Sequence, residues 1–218
     1  MIRNSISISI SPYPTIEIEK RLWQQGYTSI AGLDEAGRGA WAGPVYAAAV
    51  ILPNDEHIEQ ILYGLKDSKK LSAQQRERWR SCIQAASIAW AVASASCTEI
   101  DELGIAMATR KAMLRALKQL PYPIDHLLID YFHLKESALP QTCLPKGDER
   151  CLSIAAASIL AKTSRDAYMR ELDEKYPLYG FAQHKGYGTA QHRATIQSEG
   201  LCEIHRLSFK PMHSMLNQ

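Results

Sequence analysis

The sequence predicts an α/β fold: a mixed five-stranded sheet flanked by helices, with a helical extension at the C-terminal end. Apolar runs of strand length alternate along the chain with longer stretches of helical period. The run Tyr46-Ala47-Ala48-Ala49-Val50-Ile51-Leu52 has the small, continuous apolar character of a buried strand packed closely by helices. With 218 residues, 46% of them hydrophobic, the chain can bury one sizeable core.

In chain order, Met1 to Pro14 form a short leader. Its Ser5 to Ile10 alternates serine and isoleucine with a strand-like period, which Pro12 and Pro14 cut off. Thr15 caps a helix from Ile16 to Gln25, with Ile18 and Leu22 on one face and Gly26 at its end. Tyr27 to Asp34 is the first strand and Val45 to Leu52 its antiparallel partner. Ser72 caps a helix running to about Gln84, and Ile88 to Ser96 is a third strand. Thr98 caps a long helix to about Leu120, with Asp101 at the capping-box position. Ile100, Leu103, Met107, Leu114 and Leu117 form its buried stripe, so its methionines read as core. After the Pro121-Tyr122-Pro123 break, His126 to Asp130 is a fourth strand and Cys143 to Gly147 a short fifth. A helix rich in small residues begins around Ser153, approaches the sheet closely, and is closed by Pro177 and Gly180. Thr189 caps a last helix. The expected organisation is a leader and short helix over 1–26, a core over 27–180, and a substrate-binding loop and helical extension over 181–218 that forms one compact unit with the core.

The chemistry concentrates around Asp34-Glu35-Ala36-Gly37-Arg38-Gly39. Adjacent residues on a strand point to opposite faces, so the two carboxylates share a site only if regular strand geometry breaks near them. Gly37 and Gly39 supply such a break. Paired carboxylates suit a hard divalent cation, and an arginine between exposed glycine amides suits an anion or a sugar hydroxyl. A lone Asp-Glu is usually a solvated turn; the glycine frame favours a site. Lys69 and Lys70 precede a helix start and make a candidate phosphate seat, although lysine runs are more often solvated loops. Asp130 ends an apolar strand, an uncomfortable place for a purely structural acid. Asp148 precedes the small-residue helix, on which Lys162 and Arg165 face phosphate or solvent. Asp166, following Arg165 well inside the helix, reads as a surface partner of nearby basic residues. In Gly180-Phe181-Ala182-Gln183-His184-Lys185-Gly186-Tyr187-Gly188-Thr189, glycines expose a tyrosine in a loop. Basic and aromatic residues interleaved in this way fit a nucleic-acid groove, with a packed tyrosine corner as the bland alternative.

Composition limits the rest. A formal net charge of +2 does not announce a nucleic-acid partner, so that claim rests on local patches. Cys82, Cys97, Cys143, Cys151 and Cys202 show no metal-ligand spacing and read as thiols in a reducing compartment. No apolar run approaches membrane-spanning length, and no secretory signal core is visible. A cytoplasmic monomer with no membrane partner is expected. The tail Ser214-Met215-Leu216-Asn217-Gln218 lacks the paired aromatics of a sliding-clamp motif.

The run Gly32-Leu33-Asp34-Glu35-Ala36-Gly37-Arg38-Gly39 with Ala42-Gly43-Pro44-Val45 resembles the signature of type 2 ribonuclease H, ribonuclease HII. Four further blocks agree with it in order: Leu65 to Ser72, the strand ending at Asp130, Ser153 to Lys162, and Gly180 to Thr189. The resemblance implies a ribonuclease H-like sheet in which strands one and four are neighbours. It places the family's metal acids on Asp34, Glu35, Asp130 and Asp148, holding two Mg²⁺ or Mn²⁺ ions, one activating water and one stabilising the leaving oxygen. It assigns substrate contacts to Gly37, Arg38, Gly39 and Tyr187, and supports Lys69, His184 and Lys185. The implied reaction cuts 5′ to a ribonucleotide in RNA–DNA hybrids and ribonucleotide-containing duplex DNA, leaving 3′-hydroxyl and 5′-phosphate ends. It serves ribonucleotide removal, and RNA primer removal with it. Tyr131 departs from the pattern, since the family commonly carries a small residue after this aspartate. The sister type 3 enzyme is disfavoured because only about thirty residues precede the core and because Arg38 stands where that type usually has lysine. A silent nucleic-acid-binding module and a small-molecule phosphatase are the other readings. Retention of all four acids argues against the first, and the basic, aromatic C-terminal region against the second.

Overall fold

The computed structural model describes residues 13–66 and 68–212. The Ser-Ile alternation of the leader and the tail considered for a clamp motif lie outside the described residues, as does the side chain of Lys70. Helix α1 (Glu17–Gln24) leads into β1 (Ile30–Ala36), which turns back as antiparallel β2 (Val45–Ile51). A short α2 (His57–Ile61), a 3-10 turn (Ser68–Lys70) and α3 (Ala73–Ala86) precede β3 (Ala89–Ala95), antiparallel to β2. Helices α4 (Cys97–Leu103) and α5 (Ile105–Gln119) cross over to β4 (His126–Asp130), parallel to β1, and β5 (Gln141–Leu144) is parallel to β4. Helices α6 (Gly147–Arg150), α7 (Leu152–Lys175), α8 (Phe181–His184) and α9 (Ala190–Glu199) follow. The strand order is β3-β2-β1-β4-β5, a mixed five-stranded sheet as the sequence predicts.

The alanines of β2 account for the three layers. Ala47 and Ala49 pack with α5 on one face, while Ala48 and Val50 pack with α7 on the other. Small side chains on both faces let both helices approach closely. Gly32 of β1 shortens the distance further: a Cβ there would stand 2.4 Å from the carbonyl carbon of Ser153 in α7. The N-terminus of α7 receives no cap from its own flanking residue, Cys151. Glu19 of α1 caps it instead, accepting from the Ser153 amide at 2.9 Å and from Cys151 Sγ at 3.1 Å. A carboxylate at the positive end of a helix is favourable there, although burial raises its pKa.

Several expected boundaries move. β1 starts at Ile30 because Thr28 and Ser29 give their amides to the Asp125 carboxylate rather than to a ladder. β5 lies earlier than expected, because the Gly147 amide is taken by Asp130 Oδ1. The long helix expected from Thr98 is two helices, broken at Gly104, whose φ is +76°. Ser96, not Thr98, caps α4, and its capping-box partner is Glu99 rather than Asp101. The break changes the phase of the buried stripe. Leu103 and Met107 are exposed, and Ala108, Ala112, Met113 and Ala116 form the core face. Asp101 instead accepts from the amides of Leu207 and Ser208, tying the C-terminal segment to α4. Ser72 and Thr189 cap α3 and α9 as expected.

Candidate active site

Parallel pairing sets Gly32 beside Leu128 and Leu33 beside Ile129, so the next residues, Asp34 and Asp130, end adjacent strands side by side. Asp34 alternates with Gly32 and therefore faces α7; Asp130 alternates with Leu128, which packs on Ile154 of the same helix. Asp130 Oδ1 accepts the Gly147 amide at 2.7 Å, which draws the start of α6, and Asp148 with it, to the end of β4. Lys69 Nζ reaches Asp148 Oδ2 at 3.6 Å from the 3-10 turn.

Glu35 arrives by a route the sequence does not suggest. β1 stays regular, pairing with β2 through Ala36, so Glu35 faces away from Asp34. The glycine break comes after both acids, not between them. They nevertheless interact across the open end of the sheet, because β4 terminates at Asp130. Burial, then the charge of Glu35, then that of Asp130, push the Asp34 carboxyl well above its usual range; the Ser158 hydroxyl and the Glu35 amide act against this. Burial also raises Glu35, opposed by Arg38, whose Nη1 lies 3.4 Å from Glu35 Oε1. Glu35 Oε2 is buried without a hydrogen-bond partner. Among the described residues, no three His, Cys, Asp or Glu side chains stand as a ready-made metal-ligand set. Each of the four acids leans on a different protein donor. The donor set is all oxygen and strongly anionic, with one carboxylate oxygen unsatisfied, and it fits hard divalent cations such as Mg²⁺ or Mn²⁺.

Two buried arginines shape the loop after the acids. Arg165 of α7 donates through Nε to the Pro44 carbonyl at 2.9 Å, through Nη2 to Ala42 at 3.0 Å, and through Nη1 to Lys185 at 2.9 Å. Arg206 donates to the Gly43 carbonyl through Nε at 2.9 Å and Nη2 at 2.8 Å, and through Nη1 to Arg38 at 2.9 Å. Both are fully buried, so Arg165 faces neither phosphate nor solvent. Its sequence signal was available: it stands four residues from Ala161 and four from Met169, inside an apolar stripe. Arg38 itself is half-buried, its guanidinium 5.7 Å from the centre of the Phe132 ring. Gly37 has a φ of +92°. Gly39 does not take part in the break: its φ is not positive, and a Cβ there would meet nothing within 4 Å.

The tyrosine loop is fastened to the same structure. The Gly186 carbonyl accepts the amides of Trp41 at 2.8 Å and Ala42 at 3.2 Å. Tyr187, 36% exposed, lies under Lys162 Nζ and the Arg165 guanidinium, 5.7 and 5.5 Å from its ring centre. His184 is buried, with Nε2 on the Tyr179 carbonyl at 2.7 Å and Nδ1 accepting the Gly186 amide at 3.2 Å, so it holds the loop rather than presenting itself to a ligand. Lys185 turns its ammonium onto the Ala182 carbonyl. Asp166 is buried rather than on the helix surface, but it does pair with basic residues: Lys162 Nζ at 2.7 Å and Arg76 Nη2 at 3.4 Å. Arg76 also donates to the carbonyls of Ser68 and Leu71, so this network fixes the turn that carries Lys69.

Comparisons with known proteins agree with this fold. The family model described as Ribonuclease HII matches residues 31–212. A ribonuclease HII from Roseiflexus castenholzii is 51% identical over 203 residues, covering 93% of this chain and 91% of that one. The crystal structure of ribonuclease H2 from Pyrococcus horikoshii OT3 superposes with a TM-score of 0.73 at 25% identity, over 87% of this chain and 97% of that one. Bst-RNase HIII in complex with Mn²⁺ shares the fold at 21% identity and a TM-score of 0.64, over 89% of this chain and 71% of that one. No described helix is long and apolar enough to cross a membrane. Sheet order, the acid-bearing strand ends and these relatives together place the chain in the ribonuclease HII family of metal-dependent endonucleases.

Proposed function

We propose that the chain hydrolyses the phosphodiester on the 5′ side of a ribonucleotide, both in RNA–DNA hybrids and at single ribonucleotides embedded in duplex DNA. The products carry 3′-hydroxyl and 5′-phosphate ends. The observation that carries this reading is the meeting of Asp34 and Asp130 at adjacent strand ends, with Asp148 drawn in by the Asp130–Gly147 bond and Glu35 across the sheet end. Asp34, Glu35, Asp130 and Asp148 would hold two Mg²⁺ or Mn²⁺ ions, which, when bound, neutralise the carboxylates and polarise water and phosphate. Ser158 and the Gly147 amide orient the Asp34 and Asp130 carboxyls before any ion arrives. The open space above Gly39 and the half-buried Arg38 receive the sugar–phosphate strand, and Tyr187 bounds the same site. Contact with the 2′-hydroxyl distinguishes ribose from deoxyribose there. Lys69, whose side chain is 79% exposed, draws phosphate toward Asp148.

The protein acts as a cytoplasmic monomer in removing misincorporated ribonucleotides and RNA primers. The test is incubation with duplex DNA containing one ribonucleotide, with an RNA–DNA hybrid, and with all-DNA duplex, each with Mg²⁺ or with chelator. Cleavage confined to ribonucleotide-containing substrates, metal-dependent and mapped to the 5′ side of the ribonucleotide, is expected. Equal cutting of all-DNA duplex, or cutting in chelator, overturns the reading.

A further inference from the structure

Tyr131 directly follows Asp130 and is 73% exposed. Its φ is +68°, in the left-handed region where a bulky aromatic residue is a genuine outlier. The turn itself is needed. The Phe132 amide donates to the Asp130 carbonyl at 2.9 Å, the Tyr131 amide to Leu144 at 3.0 Å, and Phe132 is thereby folded back beneath Arg38. Glycine or asparagine would make that turn without strain. The Tyr131 side chain makes no hydrogen bond or ring contact with the described residues, so no side-chain contact within them compensates for its conformation. The acids at the ends of β1 and β4 separate two aromatic positions. Tyr187 is fastened to the loop between β1 and β2, whereas Tyr131 stands between β4 and β5.

We infer that Tyr131 is a substrate-positioning residue that stacks its ring on a nucleotide of the strand passing the β4–β5 side of the acids. This rests on the endonuclease reading above. Stacking on an aromatic face tolerates any base, so the contact fixes register without reading sequence. The experiment compares wild type, Tyr131→Gly and Tyr131→Phe in three measurements. These are anisotropy of a fluorescent ribonucleotide-containing duplex without Mg²⁺, kcat and KM with Mg²⁺, and thermal unfolding. Tyr131→Gly should raise both Kd and KM by about 10-fold, the scale of a lost base–aromatic stack, and leave Tm unchanged or higher because the strained position is relieved. Tyr131→Phe should stay within about 2-fold of wild type, since the stacking face is kept. Unchanged Kd and KM in Tyr131→Gly would overturn the inference whatever happens to Tm. Wild-type protein that binds the duplex but does not cut it at the ribonucleotide would overturn the endonuclease reading instead, and the binding comparison would still judge Tyr131.

Discussion

Arg165 occupies the space that a side chain on Gly37 would need: a Cβ there would stand 2.0 Å from Arg165 Nε. One buried guanidinium thereby fixes the loop after the paired acids and, through the Lys185 carbonyl, the tyrosine loop as well.

Arg165→Lys keeps the charge but loses the fork, so at least two of three buried carbonyls lose their donor. At about 1–3 kcal/mol for each unsatisfied group, stability should fall by roughly 3–5 kcal/mol. Gly37→Ala attacks the same contact from the other side and should behave alike. Urea titration at neutral pH checks both, and a loss below about 1 kcal/mol in either would contradict the assigned contact.

Asp34→Asn and Asp130→Asn should each lower the rate by orders of magnitude while leaving the metal-free protein folded. Each removes a charge from a cluster in which burial and neighbouring carboxylates already oppose ionisation at Asp34, so Tm in chelator should hold or rise. Steady-state kinetics with saturating Mg²⁺ and melting in chelator give the two numbers. Near-wild-type turnover in either variant would remove that residue from the site.

Asp148→Asn and Asp166→Asn should separate chemistry from support. Asp148 pairs with Lys69 and is proposed as the fourth metal acid, so its loss should cripple turnover. Asp166 is buried between Lys162 and Arg76, and its loss should cost about 1–3 kcal/mol of stability with a milder kinetic effect. A side-by-side comparison with the ranking reversed would move the fourth acid's role to Asp166.

His184, His192 and His205 form a buried stack. The first two rings lie 4.3 Å apart, and His192 Nε2 is 3.1 Å from His205 Nε2. One of those nitrogens must donate and the other accept, which disfavours charging both rings. Burial lowers all three pKa values, that of His192 to about 4. An unfolded histidine titrates near 6.5, so between about 6.5 and 4 the unfolded chain binds more protons. This part of the stability is fully present above that window and is lost as pH falls through it. The urea midpoint should therefore drop between pH 7.5 and 5, and His192→Phe should drop less steeply. Parallel pH dependences for the two proteins would contradict the assignment.

What the sequence made legible was local. The strand ending in Asp130 carries its pattern within five residues, and the alanines of β2 announce helices against the sheet within seven. Burial of Arg165 and Arg206 depends on carbonyls more than a hundred residues away, which no local window contains. Glu19 looks like any charge on an amphipathic helix until the start of α7 is set beside it. Gly104 is different, because its signal was present. A glycine following an Ser96-to-Glu99 capping box marks a helix end, yet an isolated glycine in a helical pattern costs only about 1 kcal/mol and is easily read through. Tyr131 was legible as an unusual residue type but not as a strained one, since its φ follows from bonds to Leu144 and Asp130.

The bonds from Arg206 to Gly43 and Arg38 span 163 and 168 residues of chain. On a growing polypeptide, residues 38–43 emerge early and their carbonyls wait for a partner that has not yet been synthesised. Contacts of such separation form late, after local helices and hairpins are in place. The acids of β1 can thus be present in a partly made chain while the loop beside them has no settled shape. A chain that ends before residue 206 lacks the donor that holds the Gly43 and Arg38 carbonyls, so its loop beside the acids is expected to be unfixed.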